Sequence, residues 1–296
     1  MAAMSLDLVE TGSFAKGDVS ETTDPIRVLS WNIARGSRLE EIIEFLRSAN
    51  AHVICLQETD HNVRRTGRRN IAAEIASALR MNYAFGVEFE ELTQGSGESP
   101  AYHGQATLSP FCLDGCRILR FQNQSRFWIP RWWIPKLPVL QRRVGGRMAL
   151  VTSIRLGPKP FAVYNLHLES RSERVRRAQL AELLEDTRRY EPGNPIIMGG
   201  DFNFDLNRSP TATVLDDMEF HNPLGHAVQR TTPSNHLGRE GPIDWVLIKG
   251  PLRTLAARVE CSVSASDHYP LSLTLGALAE CSGIRSDAGA MDHTHR

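Results

Sequence analysis

The stretch IIMGGDFNFD, Ile196 to Asp205, begins as an apolar run and ends in two glycines followed by Asp201, Asn203 and Asp205. A short apolar run closed by turn formers reads as a buried strand. A carboxylate at the mouth of a buried strand is costly unless it is paired, hydrogen-bonded or holding a metal. The fold therefore turns on whether other strands bring polar groups to the same place.

Working outward, strand-like runs recur: IRVLSW (26–31), AHVICLQE (51–58), GQATLS (104–109), ALVTSIRL (149–156), FAVYNLHL (161–168), IDWVLIKG (243–250) and YPLSLTL (269–275). Helical periodicity interleaves with them. RLEEIIEFLRSA places Leu39, Ile42, Ile43 and Leu46 on one face, and ERVRRAQLAELLEDTRRY does so with Val175, Leu180, Leu183 and Leu184. A shorter helix is predicted over NIAAEIASALR (70–80). Strands that alternate with helices, beside strands that follow one another directly, predict an α/β fold. Its expected form is a four-layered sandwich of two mixed β-sheets packed face to face with helices outside. No internal repeat appears, and the polar motifs come from both halves, which favours one domain over residues 25–277. Residues 1–24 and 278–296 are polar and aperiodic and are expected to be a flexible leader and tail. In that tail, His293 and His295 read as solvated rather than as metal ligands.

Composition narrows the function. Lys plus Arg and Asp plus Glu both total 34, so a non-specific grip on nucleic acid can come only from a local basic patch. Cys55, Cys112, Cys116, Cys261 and Cys281 lack a paired zinc spacing and read as free thiols of a reducing compartment. Neither a secretory signal pattern nor an apolar run of spanning length is present, and a cytoplasmic location is expected. One segment breaks the rhythm: Ser125 to Gly146 interleaves Trp128, Trp132 and Trp133 with prolines and basic residues. It reads as a loop whose indoles pack on the domain edge, or as a platform for stacking bases or for peripheral membrane contact.

The strand ends carry the chemistry. Asn32, Gln57, Glu58, Asn165, His167, Glu169, Asp201, Asn203, Asp244, Asp267 and His268 each lie where an apolar run gives way. Singly, each has an ordinary explanation: a turn, a cap, a hydrogen-bonded core histidine, a hairpin anchor. Jointly, those explanations would have to hold at matching ends of many strands, where ligand sites of α/β folds lie. Hard oxygen ligands suit Mg²⁺ or Mn²⁺, a carboxylate can deprotonate water, and Asn and His donors can hold a phosphate. Phosphoester hydrolysis fits this set. A G-x-S-x-G elbow, a Walker A loop and a Rossmann glycine fingerprint are all absent.

The ordered motifs WN, LQE, NLHLES, GDFN, IDWV and SDH, over about residues 26–275, resemble the endonuclease/exonuclease/phosphatase superfamily. That metal-dependent group includes pancreatic-type deoxyribonuclease, abasic-site endonucleases, tyrosyl-DNA phosphodiesterases, neutral sphingomyelinases and inositol polyphosphate 5-phosphatases. The resemblance implies Glu58 as principal metal ligand, with Asn32 and Asp267 in support. It implies Asp201 aligning or deprotonating the water, Asn203 on the phosphate, and His268 held by Asp244 at the transition state. His167 is similar to the second histidine of the deoxyribonuclease-like branch; abasic endonucleases carry tyrosine there. Asn165, and Gln105 in GQATLSP where the family usually has asparagine, are implied at the substrate. So are Arg171 and Arg177, beside Arg174 and Arg176, unless these merely pair with Glu173, Glu182 and Glu185. Branches with WNxDG have an aspartate where this chain has Ala34, so one tightly held Mg²⁺ is expected.

The expected function is a Mg²⁺-dependent phosphodiesterase, as a nuclease or a nucleic-acid-end processing enzyme. A phospholipid or sphingomyelin-type phosphodiesterase, an inositol-phosphate phosphatase and a non-catalytic phospho-ligand binder are the alternatives.

Overall fold

β-Branched and aromatic runs of five to ten residues, buried on alternate faces, dictate strands. In the computed structural model these form two sheets. It describes residues 5–16, 25–96, 98–125, 135–137, 139–155, 160–191, 193–207, 211–225, 228, 230–233 and 241–277. In chain order the elements are β1 (Val9–Ser13), β2 (Ile26–Arg35), α1 (Leu39–Ala49), β3 (Val53–His61), α2 (Ile71–Leu79), β4 (Asn82–Glu91), β5 (Tyr102–Ser109), β6 (Leu113–Arg120), β7 (Arg143–Gly145), β8 (Met148–Arg155), β9 (Pro160–His167), α3 (Glu173–Thr187), β10 (Ile196–Asp201), α4 (Thr211–Asp217), β11 (Asp244–Lys249), β12 (Leu252–Val259) and β13 (Leu271–Ala277).

The larger sheet runs β1-β4-β5-β3-β2-β13-β12, with β7 added to β4; the smaller runs β11-β10-β9-β8-β6. β2–β3 and β9–β10 are parallel, and their neighbours in the sheets are antiparallel, so both sheets are mixed. The inner faces meet through Val28, Val53, Cys55, Val163, Ile197 and Val246. Outside the larger sheet, Ile42, Leu46, Ile71 and Ile75 of α1 and α2 cover Leu29, Trp31, Ile54 and Leu56. Outside the smaller sheet, Leu180, Leu183 and Leu184 of α3 cover Tyr164, Met198 and Trp245. This is the expected four-layered α/β sandwich, and each fully buried aliphatic side chain in it contributes about 1.5–3 kcal/mol. Cys55 lies between the sheets, where burial pushes its thiol up to about 12.

Several elements differ from the sequence expectation. Val9–Ser13, placed in the flexible leader, is an edge strand paired with β4. Tyr83 Oη and Asn70 Nδ2 donate to Glu10 at 2.6 and 2.7 Å. Its partners lie far along the chain, so no local periodicity announces it. β4, β6, β7, β12 and α4 were also unread. β12 is mostly exposed, and β7 falls within the segment expected to be a loop. Trp128, Trp132, Trp133, Cys281, His293 and His295 lie outside the described residues. Among the described residues, no helix is long and apolar enough to cross a membrane.

Three strands of the larger sheet lose register at one level, with β5 lying between the last two: β2 between Asn32 and Arg35, β3 between Leu56 and Thr59, and β4 between Val87 and Phe89. Bulges re-aim side chains, and these carry Asn32, Glu58 and Glu88 to the mouth of the sandwich.

Candidate active site

The smaller sheet supplies one wall. Asp201 at the end of β10 pairs with His167 of β9 on one side and with Asp244 of β11 on the other, so register alone sets three functional side chains in a row. The two glycines before Asp201 make this possible. A Cβ on Gly200 would stand 2.0 Å from the Leu166 carbonyl, and one on Gly199 would stand 3.3 Å from Ser30 of the facing sheet. Side chains at these positions would part β10 from β9 and crowd the two sheets.

The larger sheet supplies the other wall through its bulges, where Glu58 takes φ 54°. The loop before β13 brings in His268. Its carbonyl accepts from Trp31 Nε1 at 2.8 Å, and Ser266 Oγ donates to the Asn32 carbonyl at 2.7 Å.

At the centre stands one oxygen, Asp201 Oδ2. It lies 3.3 Å from His167 Nε2, 3.3 Å from Asn32 Nδ2 and 3.8 Å from His268 Nε2. Its other oxygen accepts from the Asn203 backbone N–H at 2.9 Å. Asn203, at φ 60°, donates its amide to the Leu168 carbonyl at 3.0 Å. His268 Nδ1 lies 2.9 Å from Asp244 Oδ2, which also accepts from Thr231 Oγ1 at 2.6 Å. Burial opposes a charge on His268, but Asp244, Asp201 and Asp267 outweigh it and raise the imidazole to about 10. Burial likewise pushes Glu58 up, while His103, His268, Arg147 and Arg35 hold it below the usual carboxylate range. The surrounding carboxylates thus favour the protonated form of His268.

The expected residues do not all converge. Asp267 is exposed and accepts from Ser266 Oγ at 3.3 Å. Gln105 and Asn165, expected at the substrate, are fully buried. Asn165 donates to the Leu56 and Ala106 carbonyls and accepts from Gln57 Nε2, while Gln105 donates to the Met148 carbonyl. Their amide N–H groups tie the two sheets together behind the site, while Gln105 Oε1 is buried with no partner among the described residues. Arg177 is bonded to Glu173 and Thr211 on α3's outer side; Arg171 is exposed at the start of that helix.

Sequence reasoning missed a buried charged group beside Glu58. Glu88 Oε1 is 2.7 Å from Arg147 Nη1, and its Oε2 is 3.9 Å from His167 Nδ1. Burial raises the Glu88 carboxyl, and Glu58 nearby adds to that, against Arg147 and His103. An acid inside the apolar alternation of YAFGVEF was the available signal.

The residues present fit a divalent cation. Asp201, Asp244 and His268 offer ligand atoms within 4.8 Å of one another. Asp244 and Nδ1 of His268 are already spent on each other, which leaves Asp201 and the half-buried Glu58 as the oxygen donors for a hard ion. Asn32 Nδ2 lies 3.4 Å from Glu58 Oε1 as well as beside Asp201, so one amide marks where the two carboxylates converge. Its own oxygen accepts from the Ala34 N–H at 3.1 Å, so here Asn32 acts as a bridge.

Comparison with known proteins agrees. The family model described as "Endonuclease/Exonuclease/phosphatase family" matches residues 29–268. No curated protein matches the chain. Among solved structures, the human Nocturnin catalytic domain is similar with TM-score 0.64 and 17% identity, over 91% of this chain and 97% of that one. An endonuclease/exonuclease/phosphatase from Beutenbergia cavernae gives 0.63 and 16%, over 86% and 72%. Truncated Caenorhabditis elegans TDP2 gives 0.58 and 19%, over 86% and 98%. These structural likenesses show the fold; the sequence match, which runs from β2 through His268, shows that the chain belongs to the endonuclease/exonuclease/phosphatase family of metal-dependent phosphoester hydrolases.

Proposed function

We propose that this chain is a Mg²⁺- or Mn²⁺-dependent phosphodiesterase acting on nucleic acid, as a nuclease or an end-processing enzyme. The observation that carries the reading is the position of Asp201 Oδ2, within 3.8 Å of two imidazoles and 3.3 Å from the Asn32 amide. A carboxylate so placed is held for a reacting water, not for a structural ion pair.

Glu58 and Asp201 are the residues to hold the cation, which when bound neutralises charge growing on the phosphate oxygens. Asp201 orients the attacking water and takes its proton, fixed by the Asn203 N–H. His268 is protonated, with Asp244 and Thr231 locking its ring, and presents Nε2–H to a non-bridging phosphate oxygen. His167, with Glu88 on the side of its other nitrogen, holds the leaving oxygen. Asn32 and Asn203 shape the floor, and Arg171 at the start of α3 is a contact for the chain beyond the scissile bond. Asp267 supports the charge on His268 from the rim. The lipid alternative drew on the zero net charge and on tryptophans that lie outside the described residues; among the described residues no feature favours it.

Purified protein with Mg²⁺ is expected to cleave bis(4-nitrophenyl) phosphate and a labelled single-stranded oligonucleotide. EDTA abolishes the activity, and Asp201→Asn lowers kcat by about 10²–10⁴-fold. Turnover equal to that of Asp201→Asn on both substrates would remove the reading.

A further inference from the structure

Glu58 has a nitrogen-bearing neighbour on each adjoining strand, and neither makes a hydrogen bond or ion pair with it. From β5, His103 stands opposite Asp60 in the β3–β5 register. Its Nδ1 lies 2.7 Å from Asp60 Oδ1. Asp60 is gripped in turn by Nε and Nη2 of Arg65, each at 2.8 Å. The ring stacks on Phe89 with centroids 4.8 Å apart and planes 21° from parallel, and the Arg143 guanidinium lies 4.5 Å from the same Phe89 ring. His103 is only 5% exposed. Yet its Nε2 makes no hydrogen bond or ion pair among the described residues. Unlike Nδ1 of His61 and of His167, this nitrogen is not sealed from solvent. The imidazole commits Nδ1 to a braced carboxylate, holds its plane by stacking, and leaves Nε2 for something else.

From β2, Arg35 pairs with Thr59 just past the bulge that carries Glu58. It is the middle of three successive left-handed residues, Ala34 at φ 45°, Arg35 at 71° and Gly36 at 72°. That conformation is unfavourable for a non-glycine residue, and strain of this kind persists where the surroundings impose it. The Arg35 side chain is exposed and has no hydrogen bond or ion pair among the described residues. Arg38, three residues on, is clasped by Glu41. Neighbouring strands are about 4.8 Å apart, so His103 and Arg35 reach over the same short stretch of β3 from its two sides.

The geometry points to a second anion position beside the scissile one, in which His103 Nε2 and the Arg35 guanidinium receive a phosphate flanking the phosphodiester held at Glu58 and Asp201. This rests on the phosphodiesterase reading and narrows its substrate. Chains with consecutive phosphates, such as oligonucleotides, are preferred over esters that carry one. Guanidinium and imidazole N–H groups match phosphate oxygens and form charge-assisted bonds. With a net charge of zero, the protein has no general basic field to do this, so cations must stand at each phosphate they serve.

The test uses the dinucleotides TpT and pTpTp, which differ only in phosphates flanking the scissile one. Binding is measured by calorimetry with Ca²⁺ in place of Mg²⁺, and turnover is measured separately with Mg²⁺. The wild type is expected to bind pTpTp about tenfold or more tighter than TpT. Arg35→Ala and His103→Leu each erase most of that advantage, while His103→Gln, which keeps a donor near the Nε2 position, retains most of it. Thermal melting checks that His103→Leu is folded; Arg35 is exposed, and its variant carries the test alone if it is not. Equal binding of the two dinucleotides by the wild type, or an advantage that survives Arg35→Ala, overturns the subsite. Tight binding of pTpTp without cleavage of either dinucleotide would leave the subsite standing and remove the phosphodiesterase reading. Cleavage of both with no binding advantage would do the reverse.

Discussion

His268 Nδ1 faces Asp244 at 2.9 Å, and Asp244 is itself held by the Thr231 hydroxyl at 2.6 Å. The charge on the imidazole and the direction of its Nε2 both come from that brace. Asp244→Asn removes the countercharge while leaving the shape, and kcat is expected to fall about 10²–10⁴-fold with KM little changed. Steady-state kinetics on a diester substrate would show it; an unchanged kcat would mean that His268 does not act. Thr231→Val, which deletes the outer bond and also the two that Thr231 Oγ1 accepts from the Ile243 and Asp244 N–H groups at 3.1 Å, is expected to cost about tenfold or more. At this scale much of the site was legible in the sequence. Asn32, Glu58, His167, Asp201, Asp244 and His268 are polar residues interrupting apolar runs, and that costs too much to be idle. Glu88, Asp60 and His103 were not legible, because their roles depend on which bulge faces which. Gln105 and Asn165 were misread for a related reason. A buried amide looks the same in a sequence whether it meets a substrate or the neighbouring sheet.

Bulges at one level in β2, β3 and β4 turn three side chains toward one opening. The pair that closes this level, Glu88 and Arg147, is buried, with side chains 0% and 5% exposed. Removing one partner leaves an uncompensated charge, so Arg147→Met is expected to cost about 3–5 kcal/mol in urea unfolding. The double variant Glu88→Gln with Arg147→Met should recover much of that, since the lone charge is then gone. Equal losses in the single and double variants would show that the pair is not coupled. The helices α1 to α3 and the strands β2, β3, β5 and β8 to β11 are legible because burial on defined faces leaves a trace, 3.6-periodic for α1 and α3 and near-continuous for β3 and β10; buried β4 and the short helix α4 are not. β1 and β12 were missed because edge strands bury little and show no such trace.

On the scale of the whole molecule, Arg65 links Asp60 of β3 to Glu91 of β4, at 2.8 and 2.9 Å. Burial raises both carboxyls, but His103 and Arg65 at Asp60, and Arg143 and Arg65 at Glu91, hold them below their usual range. A depressed carboxylate contributes stability that is present above its unfolded value and is lost as pH falls through the folded one. The double variant Asp60→Asn with Glu91→Gln is therefore expected to be less stable at pH 7, and to lose less than the wild type on acidification below about pH 4.5. Urea titrations across pH check this, and parallel curves would refute it. Mg²⁺ at 100 times its Kd should stabilise the fold by about 2.7 kcal/mol, and Glu58→Gln should abolish that gain in thermal melts. The sandwich itself was legible because strand runs outnumber helices and both sheet faces must be covered. The sheet order was not, since it depends on pairings distant in sequence.

One such pairing has a consequence for biosynthesis. β2 lies between β3 and β13, so one of its edges stays open until the ribosome has made nearly the whole domain. At about 5–20 residues per second, that edge waits roughly ten seconds or longer for its neighbour. His268 arrives with the same late segment. The cluster around Asp201 therefore closes only when β13, the last described strand, docks, which ties completion of the site to completion of the fold.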